Sequence, residues 1–152
     1  PGYITYEMLK GVIDDVILDP ALTEVAPGVH PKAPGMKYRH YAPRGEMVIV
    51  EGAHEAVARY INERIAADKM SGYKCAVITS GVSQDRYDAD IVVKISDTGD
   101  DAEAAHNLFR ILRRMDDEQA DRIYAQSVED TGLGAAIMNR LIKAAGHNIV
   151  RL

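Results

Sequence analysis

The pattern of apolar and polar residues changes near residue 47. From there to the end of the chain, short apolar runs alternate with stretches in which apolar residues recur every three or four positions. Runs of the first kind are typical of buried strands, and stretches of the second kind are typical of helices that pack on one side. Their alternation predicts a three-layer α/β domain, in which helices cover a mostly parallel, doubly wound sheet of about five strands.

Five strands and three helices are predicted over residues 47–152. The strand candidates are Met47–Val50, Lys74–Thr79, Asp90–Ile95, Arg122–Gln126 and a weaker Asn148–Leu152. The helix candidates run from about His54 to Lys69, from about Asp100 to Met115, and from the Gly132-Leu133-Gly134 turn to Gly146. The loop from Ser80 to Ala89 is too short for a normal crossover helix, so one edge of the sheet is expected to depart from simple winding.

The second predicted helix has acidic residues in its first turn and arginines towards its end, which suits the helix dipole. It is expected to bury one apolar stripe against the sheet, because apolar residues recur at helical spacing along it. The members of that stripe are Ala105, Leu108, Phe109, Leu112 and Met115.

The residues before position 47 read differently. Thr5 is a candidate N-cap for a short helix that runs to about Val16. About 30 residues follow, from Ile17 to Glu46, with five prolines and little periodicity. A loop of that length is unusual inside a compact domain, so we interpret it as an interdomain linker. The predicted organisation is an orphan helix in residues 1–17, a linker in 18–46 and a folded domain in 47–152.

Charge and cysteine content exclude several classes of protein. The formal net charge of -5, from 18 basic and 23 acidic residues, argues against strong binding of nucleic acid or membrane through a bulk positive field. The chain has one cysteine, Cys75, in a predicted buried strand. A single cysteine fits a protein of the reducing cytoplasm. Its place in a buried strand favours a packed core thiol over a nucleophile. No apolar stretch approaches the roughly 20 residues of a membrane span.

The linker contains the strongest candidate site. Lys37, Tyr38, Arg39, His40 and Tyr41 are consecutive, with Pro34 and Pro43 closing the segment. Two cations can hold phosphate or carboxylate, two tyrosines can stack on a base, and a histidine can donate or accept a proton near neutral pH. Such a set suits a nucleotide or an acidic intermediate. A linker whose aromatic residues merely dock on a neighbouring domain is the alternative.

The ends of the predicted strands supply a second candidate ligand site. Ser80 and Ser83 follow the second strand, and Gly132 and Gly134 precede the last helix. Ligands of doubly wound sheets bind where strand ends meet helix starts. Solvated turn chemistry and an ordinary helix-start turn explain the same residues. No pair of histidines has metal-ligand spacing with a supporting carboxylate or cysteine, so no metal site is predicted.

The segment Pro-Gly-Met-Lys-Tyr-Arg-His-Tyr-Ala-Pro, residues 34–43, resembles the interdomain linker of the two-domain threonylcarbamoyl-adenylate synthases. Pro1-Gly2-Tyr3-Ile4-Thr5 resembles the end of the family's catalytic domain. Further matches to the family's C-terminal, Rossmann-like domain are Ala105–Phe109 with Leu112, Arg113 and Asp116, then Gly132–Gly134 with Ala136 and Ile137, and Arg140–Leu141 with Lys143–Ala145.

This resemblance implies a function for a longer parent protein. Such enzymes join threonine, bicarbonate and ATP, with magnesium, into threonylcarbamoyl-AMP and pyrophosphate for tRNA modification in the cytoplasm. The catalytic domain would lie upstream and would be the main partner of this chain. By analogy, residues Lys37 to Tyr41 would form a lid over bound nucleotide. The chain by itself would hold no catalytic residue and no cofactor, and would be inactive.

Two other functions stay open from the residues alone. The first is an independent nucleotide-binding or regulatory module with its site near Ser80, Ser83, Gly132 and Gly134. The second is an interaction domain that positions the catalytic domain or a second copy of the chain in a homo-oligomer.

Overall fold

A computed structural model describes residues 6–13, 15–17, 42–80, 84–96, 101–128 and 133–152. The predicted lid, Lys37 to Tyr41, lies outside these residues. So do Ser83 and Gly132.

The order of elements follows the predicted alternation of strands and helices. In chain order they are α1 (Tyr6–Lys10), β1 (Glu46–Glu51), α2 (His54–Met70), β2 (Cys75–Thr79), a 3₁₀ turn (Gln84–Arg86), β3 (Ile91–Lys94), α3 (Asp101–Asp117), β4 (Arg122–Gln126), α4 (Leu133–Ala144) and β5 (Ile149–Arg151).

The five strands form one sheet in the order β3-β2-β4-β1-β5, and every pair is parallel. Strands β1 and β4 lie side by side in the centre, with Met47 opposite Ile123 and Ile49 opposite Ala125. The near-continuous apolar runs of these strands fit a sheet that is covered on both faces. The predicted α/β fold is confirmed.

Helices cover both faces of this sheet. Helices α3 and α4 pack on one face through residues such as Leu108, Met115 and Leu141. Helix α2 packs on the other face, where Ile61 and Ile65 meet side chains from β1, β2 and β4. The result is three layers with two hydrophobic cores, one on each side of the sheet.

The edge strand β3 shows the expected departure from simple winding. The described part of its connection from β2 contains a 3₁₀ turn in place of an α-helix, yet β3 still runs parallel to β2. Tyr87 follows that turn and packs into the core on the α2 face. The buried ring of Tyr87 thus anchors a connection whose described residues contain no α-helix.

The prediction that Phe109 belongs to the buried apolar stripe of α3 is wrong. Phe109 is 43% exposed, whereas Ile111, which the prediction omitted, is 3% exposed. At 100° per residue, the buried positions Ala104, Leu108, Ile111, Leu112 and Met115 cover an arc of about 100°, and Phe109 lies about 60° outside it. The guanidinium of Arg113 sits 5.8 Å from the centre of the Phe109 ring and covers part of it.

The first helix is shorter than predicted. It spans Tyr6–Lys10 rather than continuing to Val16. The apolar side chains of Val12, Ile13 and Ile17 are 87%, 52% and 88% exposed. An amphipathic helix gains most of its stability from an apolar surface on which to pack. Within the described residues, these side chains have no such surface.

Candidate ligand site at the centre of the sheet

The two central strands send the chain in opposite directions. From β1 the chain passes through α2 to β2 on one side, whereas from β4 it passes through α4 to β5 on the other side. Helices α2 and α4 lie on opposite faces of the sheet. The connections therefore diverge at the carboxyl ends of β1 and β4. In open α/β sheets, ligands bind in the crevice that this divergence leaves.

A cleft of about 200 Å³ lies at this point. Residues of its lining come from the ends of β1, β2 and β4 and from the start of α2; they include Val50, Gly52, His54, Ser80, Gln126 and Ser127. Drug-sized ligands usually occupy about 300–1,000 Å³. The cleft can therefore enclose a phosphate or pyrophosphate group, but not a whole nucleotide.

Gln126 organises the polar side of the cleft. Its side chain is 7% exposed, and its Oε1 accepts hydrogen bonds from the Ser80 backbone N–H at 2.9 Å and from the Ser80 hydroxyl at 3.2 Å. Its Nε2 donates to the Tyr87 hydroxyl. Burial raises the pKa of Tyr87, so this phenol stays protonated at neutral pH. The network fixes the position of Ser80 at the rim.

The start of α2 forms the opposite side of the cleft. Ala53 occupies the N-cap position and gives no side-chain hydrogen bond to the first turn. Gly52, with φ of 150°, allows the sharp turn from β1 into the helix. Free N–H groups at a helix start attract anions. The neighbouring carboxylate of Glu51 is engaged by Arg151 at 3.0 Å, which offsets its repulsion of an anion.

The described lining contains hydroxyl, amide and imidazole groups but no carboxylate, lysine or arginine. It has hydrogen-bonding groups for a small anion, and no nucleophile paired with a general base. Within the described residues, no group of three or more histidine, cysteine or acidic side chains could hold a metal ion. The arrangement suits binding rather than bond making.

The structure places the predicted residues of this site differently. Ser80 lines the cleft, and its role in holding a ligand stays a prediction. Gly134 is buried in the first turn of α4 and is not among the lining residues. Sequence reasoning missed Gln126 and Tyr87. A polar residue at the carboxyl end of an apolar strand, such as Gln126, is the signal that could have revealed this part of the site.

A fully parallel sheet with helices on both faces and a cleft where its connections diverge defines a Rossmann-like α/β domain. The chain belongs to the family described as threonylcarbamoyl-AMP synthase, C-terminal domain, which matches residues 4–146. The resemblance noted in the sequence is thereby confirmed. Within the described residues, none of the helices has the length and apolar character that a membrane crossing requires.

Proteins from an archaeon and a bacterium are similar over nearly the whole chain. Threonylcarbamoyl-AMP synthase of Pyrococcus abyssi (strain GE5 / Orsay) is 45% identical over 152 residues, which are 100% of this chain and 43% of that protein. The synthase of Bacillus subtilis (strain 168) is 37% identical over 151 residues, 99% of this chain and 42% of that protein. The chain thus spans less than half the length of these relatives.

Solved structures agree with this assignment. The crystal structure of P. abyssi Sua5 complexed with L-threonine has a TM-score of 0.84 at 44% identity, over 100% of this chain and 43% of that one. The C-terminal Sua5 domain from Pyrococcus horikoshii has a TM-score of 0.58 at 39% identity, over 73% of this chain and 100% of that one.

Proposed function

We propose that this chain is the C-terminal region of an enzyme that joins threonine, bicarbonate and ATP into threonylcarbamoyl-AMP and pyrophosphate. The observation that carries the proposal is the 45% identity to a threonylcarbamoyl-AMP synthase along all 152 residues. Such a protein supplies an activated intermediate for tRNA modification in the cytoplasm. ATP and magnesium belong to the longer protein.

In this proposal the chemistry takes place in an upstream catalytic domain, and this chain is inactive alone. The chemistry of the described residues supports that division. Cys75 is fully buried, and burial raises its pKa to about 11, so it is a poor nucleophile. The described lining of the central cleft has no carboxylate and no lysine that could activate bicarbonate or threonine.

The proposed contribution of the linker is a lid over the nucleotide, formed by Lys37, Tyr38, Arg39, His40 and Tyr41. Cations would offset phosphate charge, and the aromatic rings would exclude water from a labile carbamoyl-adenylate. One solved structure of P. abyssi Sua5 is of a variant in which an adjacent histidine and tyrosine are both replaced by alanine. Residues 40 and 41 are the one His-Tyr pair in this sequence.

The proposed domain boundaries are 1–17 for the last helix of the catalytic domain, 18–46 for the linker and 47–152 for the accessory domain. Two cores built from residues after position 46 support an independent folding unit. The P. horikoshii structure is of a C-terminal domain by itself, and it matches 73% of this chain.

The lid is tested in the full-length protein. Changing Tyr38, His40 and Tyr41 together to alanine is expected to lower the rate of threonylcarbamoyl-AMP formation at least tenfold and to weaken nucleotide affinity. Phe109→Ala, which removes an exposed ring on α3, is the control and should leave both unchanged. The isolated 152-residue chain should form no product. Full turnover and affinity in the triple variant would overturn the lid assignment.

A second candidate function is an independent binding module, because the central cleft has the size and the hydrogen-bonding groups for a phosphate or pyrophosphate group. Calorimetry of the 152-residue chain with ATP, AMP and pyrophosphate tests it. Micromolar binding that is lost in Ser80→Ala and kept in Ser71→Ala, an exposed serine at the far end of α2, would support the module. No binding by the wild-type chain would exclude it.

A further inference from the structure

A second pocket lies at the amino ends of the strands, whereas the central cleft lies at their carboxyl ends. It has a volume of about 250 Å³ and is lined by the first residues of β1 and β4, Glu46 and Arg122, which pair in register. Helix α2 forms its other wall through Tyr60, Arg64 and Asp68, spaced four residues apart. The described linings of the two sites have no residue in common.

The inner wall of this pocket is a closed polar network. Asp68 is 7% exposed and accepts a hydrogen bond from the Tyr124 hydroxyl. Arg122 lies 3.9 Å from Asp68, pairs with Glu46, and stacks 4.2 Å over the ring of Tyr73. Burial first, and then the bond to Asp68, raise the pKa of Tyr124 to about 12. The phenol therefore remains a donor across the physiological range.

The outer wall has groups with unused bonding capacity. Arg64 is exposed, and its interaction with the Tyr124 hydroxyl raises the pKa of Arg64 while occupying few of its five N–H groups. Glu46 contacts Arg122 through Oε2, and within the described residues its Oε1 has no partner. The exposed side-chain amide of Asn148 likewise has none there.

The charges of the pocket balance. Arg64 and Arg122 contribute two positive charges, and Glu46 and Asp68 contribute two negative ones. A simple anion would be attracted by Arg64 but repelled by Glu46, and a simple cation would meet the reverse. A ligand that carries one negative and one positive charge can pair with Arg64 and with Glu46 at the same time.

We propose that this pocket binds the zwitterionic form of an α-amino acid with a short aliphatic side chain. Its carboxylate pairs with Arg64, with Asn148 donating to the same group, and its ammonium group donates to Glu46. The aliphatic side chain packs on Val48 and Val150, the apolar lining residues from β1 and β5. This inference is independent of the proposed catalytic activity, because it uses no residue of the proposed lid or of the central cleft.

The ligand class is tested with three probes that differ by one charged group. L-Valine carries both charges, isovalerate lacks the ammonium group, and isobutylamine lacks the carboxylate. Titration of the 152-residue chain by NMR is expected to show L-valine binding at least about tenfold more tightly than either analogue, since each charge-assisted pair contributes separately. Amide shifts should fall in residues 46–48, 60–68 and 148–150, and not in 126–128.

Variants on one helix provide a matched control. Arg64→Gln should weaken L-valine binding about tenfold, whereas Arg59→Gln, an exposed arginine outside the pocket lining, should leave it within twofold. Glu46→Gln should bring the affinities for L-valine and isovalerate together. The proposal is overturned if the wild-type chain does not bind L-valine, if isovalerate binds equally well, or if the Arg64 and Arg59 variants behave alike.

Discussion

Replacing Gln126 with leucine tests the network that shapes the central cleft. The substitution keeps the approximate size of the side chain and removes its amide. Ser80 loses the acceptor for its backbone N–H and hydroxyl, and the hydroxyl of Tyr87 loses its partner. Tyr87 is 7% exposed, so water cannot readily replace the lost bond.

The expected cost follows from these lost partners. A buried polar group left without a hydrogen bond costs about 1–3 kcal/mol, and leucine recovers part of this through apolar burial. We expect Gln126→Leu to lower the free energy of unfolding by about 2–4 kcal/mol, a large share of the 5–15 kcal/mol that is typical of a domain. Tyr87→Phe removes one bond and should cost about 1 kcal/mol.

Urea unfolding followed by far-UV circular dichroism measures both values, since the chain has no tryptophan. Because the two side chains share a hydrogen bond, the double variant should lose less stability than the sum of the single variants, by at least about 0.5 kcal/mol. Additive losses, or a loss below about 0.5 kcal/mol for Gln126→Leu, would refute the network as the support of the cleft.

Three further outcomes follow from the described residues. Burial raises the pKa of Tyr124 to about 12, so the protonated phenol contributes its full stability below pH 10 and loses that contribution as the pH rises towards 12. The free energy of unfolding of the wild-type chain should therefore decrease between pH 10 and 12, and this decrease should be smaller in Tyr124→Phe. Gly45→Ala would place a Cβ 2.1 Å from a backbone carbonyl oxygen and should cost about 3 kcal/mol, whereas Gly72→Ala, with φ of 81° and nothing within 4 Å, should cost about 1 kcal/mol in urea unfolding. Cys75, fully buried and with its pKa raised to about 11 by burial, should resist a disulfide labelling reagent at pH 8 until urea unfolds the chain.

Each of these outcomes has a contrary result. An identical alkaline fall in the wild-type and Tyr124→Phe chains would mean that ionisation of the phenol does not weaken the fold. Equal costs at Gly45 and Gly72 would mean that the chain before β1 shifts freely. Rapid labelling of Cys75 in the folded protein would mean that β2 opens to solvent.

The sheet was the most predictable part of the fold. Strand β4 was predicted at Arg122–Gln126, as observed. The range predicted for β1 was one residue too short at each end. Strands covered on both faces have nearly continuous apolar sequences with polar ends, so their limits are visible locally. Helix faces were less certain. One step of 100° separates a core position from a solvent position, which is why Phe109 was assigned to the wrong side.

The candidate cleft was only half visible in the sequence. The sequence pointed to Ser80 because this residue follows a strand. It did not point to Gln126, the hydrogen-bond partner of Ser80, which is 46 residues away. Parallel pairing of β2 with β4 brings the two together. The predicted lid, Lys37 to Tyr41, and the predicted domain boundaries stay predictions.

The sequence by itself determined the α/β class, the positions of the strands and the family, because each depends on residues close together along the chain. Only the tertiary structure decided the strand order β3-β2-β4-β1-β5, and with it both pockets. Glu46 and Arg122 are 76 residues apart and carry no mutual signal in the sequence. They form one wall because long-range burial of apolar surface selects which strands become neighbours, and that choice is shared by the whole core rather than encoded in any one segment.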